Sequence, residues 1–295
     1  MQPSASGYDR RREDVGNIVE FGHVNITIPD QRLATLFYVS ALGLTRDPFL
    51  MTGVDNMWVN AGTAQFHLPA GQAQILSGTI GLVLPDLAAL RSRLARIGPQ
   101  LAGTAFAVEE SGDSVLLTCP WGNRIRCHAP GADWPGMRLG MPYVRMQAAR
   151  GMAMPIARFY HTVLGTPAHV MGDAVHVPMG TNFTLIWQES DAPVPAYDGH
   201  HIQITLANFS GPHRWLQTHG LVSEESDQHQ YRFTRLVDPQ ADTKGETSVA
   251  LLEHEVRSMR HPLFRRPLTN RNARQSNRHF VPGHESEMLE TGWED

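Results

Sequence analysis

A helical motif that occurs twice constrains the fold of this chain more than any other feature. The pattern F-Y-x-x-x-L-G runs from Phe37 to Gly43 and again from Phe159 to Gly165. A short strand pattern precedes each copy, GHVNITI before the first and PYVRMQA before the second. Large apolar residues at helical spacing predict a helix that packs on a sheet, and the glycine predicts its end. The repeat therefore predicts an internally duplicated α+β chain.

Two weaker copies of the same strand-helix-glycine pattern occupy residues 78–98 and 200–220. Short alternating segments follow each helix, as expected for strands with one buried face. The sequence therefore predicts four β-α-β-β-β units in tandem. The first strands of the four units align at His23, Thr79, Tyr143 and His201.

Composition shifts along the chain predict its domain organisation. Two consecutive two-unit domains are expected, separated by a loop rich in glycine and proline. A polar segment precedes them, and a polar arm follows that is either disordered or extended along the body. The predicted ranges are 1–17 for the polar segment, 18–132 and 140–258 for the two domains, and 259–295 for the arm.

The overall composition favours a cytoplasmic protein that acts on a small molecule. The net charge is −4 and the pI is about 6.4, so no basic nucleic-acid footprint is expected. No apolar run approaches the roughly 20 residues of a membrane helix, and the N-terminal residues lack the apolar region of a signal peptide. Two cysteines are too few for a disulfide framework, and the 15 histidines prompt a search for metal sites. A monomer or a homodimer is expected.

The four units resemble the vicinal oxygen chelate superfamily, which includes glyoxalase I, extradiol dioxygenases and bleomycin-resistance proteins. The resemblance rests on G-H-V in the first strand, F-Y-x-x-x-L-G in the helices and H-H-I in the fourth unit, and it covers residues 18–258. It implies that pairs of units pack into open β-cups. It also implies a metal held by residues on the first and last strands of both units, usually a histidine before an aliphatic residue and a glutamate.

Ligand-type residues are unevenly distributed over the four units. Those of the first unit are His23 and His67, and those of the fourth are His201 with either Glu253 or Glu255. The second unit has Thr79 with Arg126 or His128, and the third has Tyr143 with only apolar or hydroxyl side chains on its last strand.

Sequential pairing of the units would leave two incomplete ligand sets. Pairing the first unit with the fourth collects His23, His67, His201 and Glu253 in one cup, an arrangement that resembles some single-chain glyoxalase I enzymes. The other cup is then either structural or binds a ligand without metal. Glu253 and Glu255 share one strand face, and Glu253 is the preferred ligand. Either histidine of the first strands could instead be an ordinary hydrogen-bonded strand residue.

Imidazoles with a carboxylate suit a divalent first-row metal, with Fe(II) favoured and Mn, Zn, Ni or Co as alternatives. A substrate with two neighbouring oxygen atoms could chelate such an ion. The leading prediction is a dioxygenase that acts on a small oxygenated or aromatic substrate, with His67 as a ligand or as a catalytic acid or base. The alternatives are a glyoxalase-like lyase or isomerase and a metal-free binding protein of the resistance type.

Overall fold

The computed structural model describes residues 9–50, 55–241 and 248–271, and it contains the four predicted units. A short 3-10 helix, Arg10–Glu13, precedes the first unit. The first unit consists of β1 Ile18–Asn25, α1 Gln31–Ala34 with a π-helical continuation Thr35–Ala41, β2 Thr45–Arg46, β3 Asn56–Ala61 and β4 Ala64–Pro69. The second consists of β5 Gly78–Val83, α2 Leu87–Ile97 with a 3-10 turn Gly98–Leu101, β6 Ala107–Ser111, β7 Ser114–Thr118 and β8 Arg124–His128.

The third and fourth units repeat this order of elements. The third consists of β9 Tyr143–Ala149, α3 Ala153–Thr162, β10 His169–Met171, β11 Ala174–Pro178 and β12 Thr184–Ser190. The fourth consists of β13 His201–Leu206, α4 Ser210–Thr218, β14 Val222–Asp227, β15 Gln230–Val237 and β16 Ser248–Ser258. The predicted α+β class with four β-α-β-β-β units is confirmed.

The duplicated motif performs the same task in both copies. Phe37 and Phe159 are fully buried, as the helical spacing predicted. Gly43 and Gly165 follow the helices with φ angles of +81° and +67°, a left-handed conformation that favours glycine. In the first copy the backbone bonds widen to the π spacing, and the Leu42 amide donates to the Phe37 carbonyl.

The strands form two eight-stranded sheets that combine units from opposite parts of the chain. The first sheet has the order β14-β15-β16-β13-β1-β4-β3-β2, so it joins the fourth unit to the first. The second has the order β10-β11-β12-β9-β5-β8-β7-β6 and joins the third unit to the second. This is the pairing that the distribution of ligand-type residues predicted, and each sheet forms one cup.

The two sheets therefore do not coincide with the predicted ranges 18–132 and 140–258. Each sheet takes one unit from each range. The assignment of those ranges as domains stays a prediction.

Helices lie between the two sheets and share one hydrophobic core with both. On α3, the Tyr160 hydroxyl lies 2.9 Å from His254 Nε2 of β16 and accepts a hydrogen bond from Trp187 Nε1 of β12 at 3.3 Å. His254 thus points toward the helix layer. Because side chains alternate along a strand, its neighbours Glu253 and Glu255 point to the opposite face, into the cup.

The predicted C-terminal arm lies on the body as far as residue 271. Asn270 exchanges two hydrogen bonds of 3.0 Å with the backbone of Gly62. Arg266 forms a 2.6 Å ion pair with the fully buried Asp47. The rest of that arm, and residues 1–8 of the predicted N-terminal segment, lie outside the described residues. None of the helices in the described ranges is long and apolar enough to cross a membrane.

Replacing Gly78 by alanine is expected to lower the free energy of unfolding by about 1–3 kcal/mol, as overpacking does elsewhere. A Cβ atom at Gly78 would lie 1.8 Å from the carbonyl oxygen of Arg145, which belongs to the neighbouring strand and cannot rotate away. Chemical denaturation measures the difference. Gly131→Ala is the matched control, because a methyl group at that position would have no heavy atom within 4 Å. Equal stabilities of the two variants would contradict the prediction.

Candidate metal centre

Three histidines meet on the cup face of the first sheet, at its centre. His23 lies on β1, His67 on β4 and His201 on β13, and β1 pairs with both other strands. In the antiparallel pair Asn25 lies opposite His201, and in the parallel pair Asn25 lies beside His67. Since His23 and Asn25 share a strand face, these registers place all three imidazoles on the same side of the sheet.

The three imidazoles are close enough to share one ion. Each offers a ring nitrogen, and these three atoms lie within 4.8 Å of one another. The His23 ring centroid is 5.5 Å from that of His67 and 5.7 Å from that of His201. His23 and His201 are buried, while His67 is partly exposed.

The hydrogen bonds of the three imidazoles differ. Nε2 of His23 and Nε2 of His201 are buried and have no hydrogen-bond partner among the described residues. His67 is fully hydrogen-bonded, with Nδ1 2.7 Å from Asn25 Nδ2 and Nε2 2.7 Å from Asn56 Oδ1. Its ring also stacks on Trp58 at 3.8 Å. Two buried ring nitrogens therefore lack a hydrogen-bond partner, whereas a buried histidine with a purely structural role normally has one.

Burial keeps His23 and His67 uncharged. It lowers the pKa of His23 well below the ordinary histidine value. Burial, followed by the nearby His201, lowers the pKa of His67 to about 3. A neutral imidazole has a free lone pair, and this is the form that binds metal ions.

Two carboxylates of β16 approach the imidazole of His201. Glu253 Oε1 lies 3.3 Å from His201 Nδ1, and Glu255 Oε2 lies 3.5 Å from His201 Nε2. The strand registers distinguish them. His67 lies beside Asn25, two residues after His23, and Glu255 lies beside Gln203, two residues after His201. Glu255 is therefore the positional counterpart of His67.

Two arginines hold these carboxylates in place. Arg232 of β15 forms 2.6 Å ion pairs with both Glu253 and Glu255, and Arg257 forms a 2.7 Å pair with Glu255. Burial favours a raised pKa for Glu255, but its contact with His201 and the charges of Arg257 and Arg232 outweigh burial and hold the pKa below the ordinary value. Glu255 is consequently an ionised, almost fully buried carboxylate.

This donor set fits a divalent first-row metal ion. It comprises three imidazoles, of which burial holds His23 and His67 neutral, and an ionised carboxylate beside them. Nitrogen and carboxylate donors of this kind are those that Fe(II), Mn, Zn, Ni and Co accept. The arrangement brings together His23, His67 and His201 as the sequence predicted, while the ligand role of Glu253 stays a prediction.

Sequence reasoning missed the residues that surround the three imidazoles. Asn25 could have been noticed, since it follows His23 on the same strand face. Asn56 of β3 and the two arginines reach the site only through the pairing of neighbouring strands, which no local pattern in the sequence reveals. The other candidates, Thr79, Arg126, His128 and Tyr143, all line a separate cavity in the cup of the second sheet.

Comparison with known proteins rests on structure alone. No family model and no curated protein sequence matches this chain. Glyoxalase I from Zea mays has 10% sequence identity over 85% of this chain and 95% of its own, with a TM-score of 0.52. A glutamate-to-glutamine mutant of the same enzyme gives 9% identity, 85% and 96% coverage and a TM-score of 0.54.

A third similar structure comes from Bacillus subtilis and is titled a "putative dioxygenase". It has 14% sequence identity over 82% of this chain and 86% of its own, with a TM-score of 0.51. These identities are too low to transfer an activity, but the alignments extend over both sheets. Four β-α-β-β-β units, two cups and this agreement in architecture show that the chain has the fold of the vicinal oxygen chelate superfamily.

Proposed function

We propose that this protein is a metal-dependent enzyme in which His23, His201 and Glu255 hold a divalent metal ion, with His67 beside it. The observation that carries the proposal is the convergence of three imidazoles, each with a ring nitrogen within 4.8 Å of the other two, where Nε2 of His23 and Nε2 of His201 are buried without a hydrogen bond to any described residue. Leaving such groups unsatisfied costs about 1–3 kcal/mol each, and a metal ion would remove that cost.

The difference among the three imidazoles favours an oxygenase. His67 already has partners on both ring nitrogens, whereas Nε2 of His23 makes no hydrogen bond to a described residue and Nε2 of His201 has only the 3.5 Å approach of Glu255. Two histidines and one carboxylate on one face are the ligand set of many non-haem Fe(II) oxygenases, and this set leaves coordination positions open. A ferrous ion bound there supplies one-electron chemistry with dioxygen and polarises a chelated substrate.

The charges around the site favour a substrate that binds as an anion. Glu253 and Glu255 carry two negative charges, Arg232 and Arg257 carry two positive ones, and the more exposed Glu224 adds a negative charge 3.7 Å from Arg232. A divalent ion would leave a net positive charge in this buried place, which is costly. A small substrate with two neighbouring, ionisable oxygen atoms, aromatic or aliphatic, would neutralise it.

His67 is placed to accept a hydrogen bond from such a substrate and so to orient it. Its Nδ1 lone pair faces the Asn25 amide, which a substrate hydroxyl can displace, and its Nε2 hydrogen is held by Asn56. The Trp58 ring fixes the plane of the imidazole by stacking. His67 is also partly exposed, so a substrate entering the cup meets it early.

A glyoxalase-like lyase or isomerase is the second candidate, and the same geometry suggests it. If His67 gives up its bond to Asn25, three imidazoles and Glu255 surround one point. A set rich in imidazole suits Zn, Ni or Co, which polarise a carbonyl without redox chemistry.

Metal content tests the proposal. Anaerobically purified wild-type protein, loaded with Fe(II), is expected to retain about one ion per chain by plasma mass spectrometry, and His23→Ala and His201→Ala are expected to retain almost none. His161→Gln is the matched control, because this imidazole lies exposed on α3. Circular dichroism verifies that each variant is folded. Retention by both alanine variants, or no retention by the wild type, would refute the site.

Dioxygen uptake separates the two candidate reactions. The Fe(II) protein is expected to consume dioxygen with an ortho-diphenol such as catechol or a close analogue. Anaerobic turnover of an α-ketoaldehyde adduct by the Zn, Ni or Co forms, without dioxygen uptake by the Fe(II) form, would instead support lyase or isomerase chemistry. A folded protein that binds metal but shows neither reaction would point to binding alone.

A further inference from the structure

The cup of the second sheet repeats the architecture of the metal centre with different chemistry. All four units share one strand register. In each unit, the site residue on the last strand pairs with the residue two positions after the site residue on the first strand. Arg126 pairs with Gly81, two residues after Thr79, and Ile186 pairs with Arg145, two residues after Tyr143. The four positions that correspond to His23, His67, His201 and Glu255 are therefore Thr79, Arg126, Tyr143 and Ile186.

With these four residues at the ligand positions, the second cup contains a cavity instead of a metal site. Its volume is about 560 Å³, within the range of roughly 300–1,000 Å³ that small-molecule sites occupy. Tyr143 and Ile186 form a buried apolar floor that is separate from the main core, and Trp134 packs against it. A separate apolar cluster under a cavity is not needed to hold the sheet to its helices, since the main core already does so.

Positive charge dominates the wall of this cavity. Arg126 and Arg145 both line it, and none of the described lining residues is an aspartate or glutamate. Among the described residues, Arg126 donates to the hydroxyls of Ser111 and Ser114, and Arg145 makes a long 3.5 Å contact with the Gln188 side chain. Within the described ranges neither guanidinium has a carboxylate within ion-pairing distance. Two arginines at one cavity without an acidic partner are suited to an anion.

The neighbouring titratable groups experience this positive charge. Burial lowers the pKa of His128, and Arg126 lowers it further, while the more distant Asp113 and Asp133 oppose the shift. Burial also lowers the pKa of His176, with Arg145 acting in the same direction. Burial raises the pKa of Tyr143, while both arginines oppose that rise. The charges of Arg126 and Arg145 therefore converge on the Tyr143 hydroxyl, at the bottom of the cavity.

Aromatic rings line the cavity beside the charge. The Trp134 ring lies 5.1 Å from the His128 ring and 5.8 Å from the Tyr143 ring, and His128 Nε2 lies 2.9 Å from the Tyr143 hydroxyl. Gly81 lets the Tyr143 ring lie low on the sheet, because a Cβ atom there would come within 2.5 Å of the ring. The cavity thus has flat apolar surfaces as well as paired cations.

We propose that the cup of the second sheet is a metal-independent binding site for a small aromatic anion, whose ring packs against Trp134 and Tyr143 and whose charged group pairs with Arg126 and Arg145. Stacking surfaces suit the ring, and the forked guanidinium donors suit a planar carboxylate. This site is distinct from the proposed metal centre and does not depend on it.

Equilibrium binding of 2-naphthoate to the full chain tests this site, with 2-naphthamide as a neutral ligand of the same shape. We expect 2-naphthoate to bind and the amide to bind at least about tenfold more weakly. Arg126→Gln and Arg145→Gln are each expected to weaken 2-naphthoate binding by at least about tenfold and to leave the amide nearly unchanged. Arg96→Gln, an exposed position on α2 outside the cavity, removes the same charge and is the control.

Several outcomes would overturn the proposal. These are equal affinity for the acid and the amide, no change in either arginine variant, or an equal loss in Arg96→Gln. Loss of binding in His23→Ala with none in Arg126→Gln would place the anion at the metal centre instead. Metal retention by the Arg126 and Arg145 variants is measured in parallel, so failure of this site is distinguishable from failure of the metal centre.

Discussion

Glu255→Gln is expected to weaken metal binding by more than about 100-fold, because replacing even a residue that only supports a ligand costs 10–100-fold in affinity. Glu253→Gln is expected to retain metal within a few fold of the wild type. The strand registers make Glu255, not Glu253, the counterpart of His67, and Glu255 is also the more deeply buried carboxylate. Titration of the metal-free proteins with Fe(II) or Zn under anaerobic conditions measures both affinities.

A second variant separates ligation from folding. Glutamine at 255 leaves Arg257 without its close carboxylate partner, and an unpaired buried charge can cost about 3–5 kcal/mol. Glu255→Asp keeps the charge but withdraws the carboxylate by one methylene, so it is expected to remain folded and still bind metal poorly. The opposite result, with Glu253→Gln abolishing metal binding and Glu255→Gln preserving it, would establish Glu253 as the ligand.

The metal-free protein is expected to lose stability steeply as the pH falls from 6.5 toward 4.5. His23, His67 and His254 all have a folded-state pKa well below the unfolded value, about 3 for His67 and about 4 for His254, with burial as the main cause. In this pH range these histidines therefore bind protons in the unfolded chain but not in the folded protein. Each such histidine removes about 1.4 kcal/mol per pH unit below 6.5, and the loss ends where the folded protein itself takes up the proton.

Chemical denaturation in a chelating buffer at several pH values measures this dependence. His254→Gln keeps a hydrogen-bonding group opposite Tyr160 and should reduce the slope by about 1.4 kcal/mol per pH unit. His161→Gln, which removes an exposed imidazole on α3, is the matched control. A pH-independent free energy of unfolding over this interval would contradict the buried, neutral state of His23, His67 and His254.

The architecture was predictable because the same local sequence pattern recurs in each of the four units. The motif at Phe37 and at Phe159 marks two units, and the weaker copies follow at similar spacing. The pairing of the first and fourth units also followed from the sequence, since only this pairing brings His23 together with His201. What local patterns could not supply was the alignment between strands.

Cross-strand alignment decides most of the chemistry of the site. The choice between Glu253 and Glu255 depends on how β16 lies against β13, and both residues share one face in any register. Arg232 reaches the carboxylates only because β15 pairs with β16, which brings it opposite Glu255. Such neighbours are set by loop lengths and core packing over the whole sheet, so no stretch of sequence around Arg232 indicates its role.

In the sequence, the second and third units lie between the first and the fourth. This arrangement sets the order in which the two sheets can form during synthesis. Every strand of the second sheet lies between residues 78 and 190, whereas the first sheet needs both β1 and β16. At about 5–20 residues per second, His23 leaves the ribosome on the order of ten to fifty seconds before Glu255. During that interval the inner sheet can close, while β1 waits with one edge unpaired. The proposed metal site is therefore among the last features of the molecule to form, and an ion bound there would hold the two ends of the fold together.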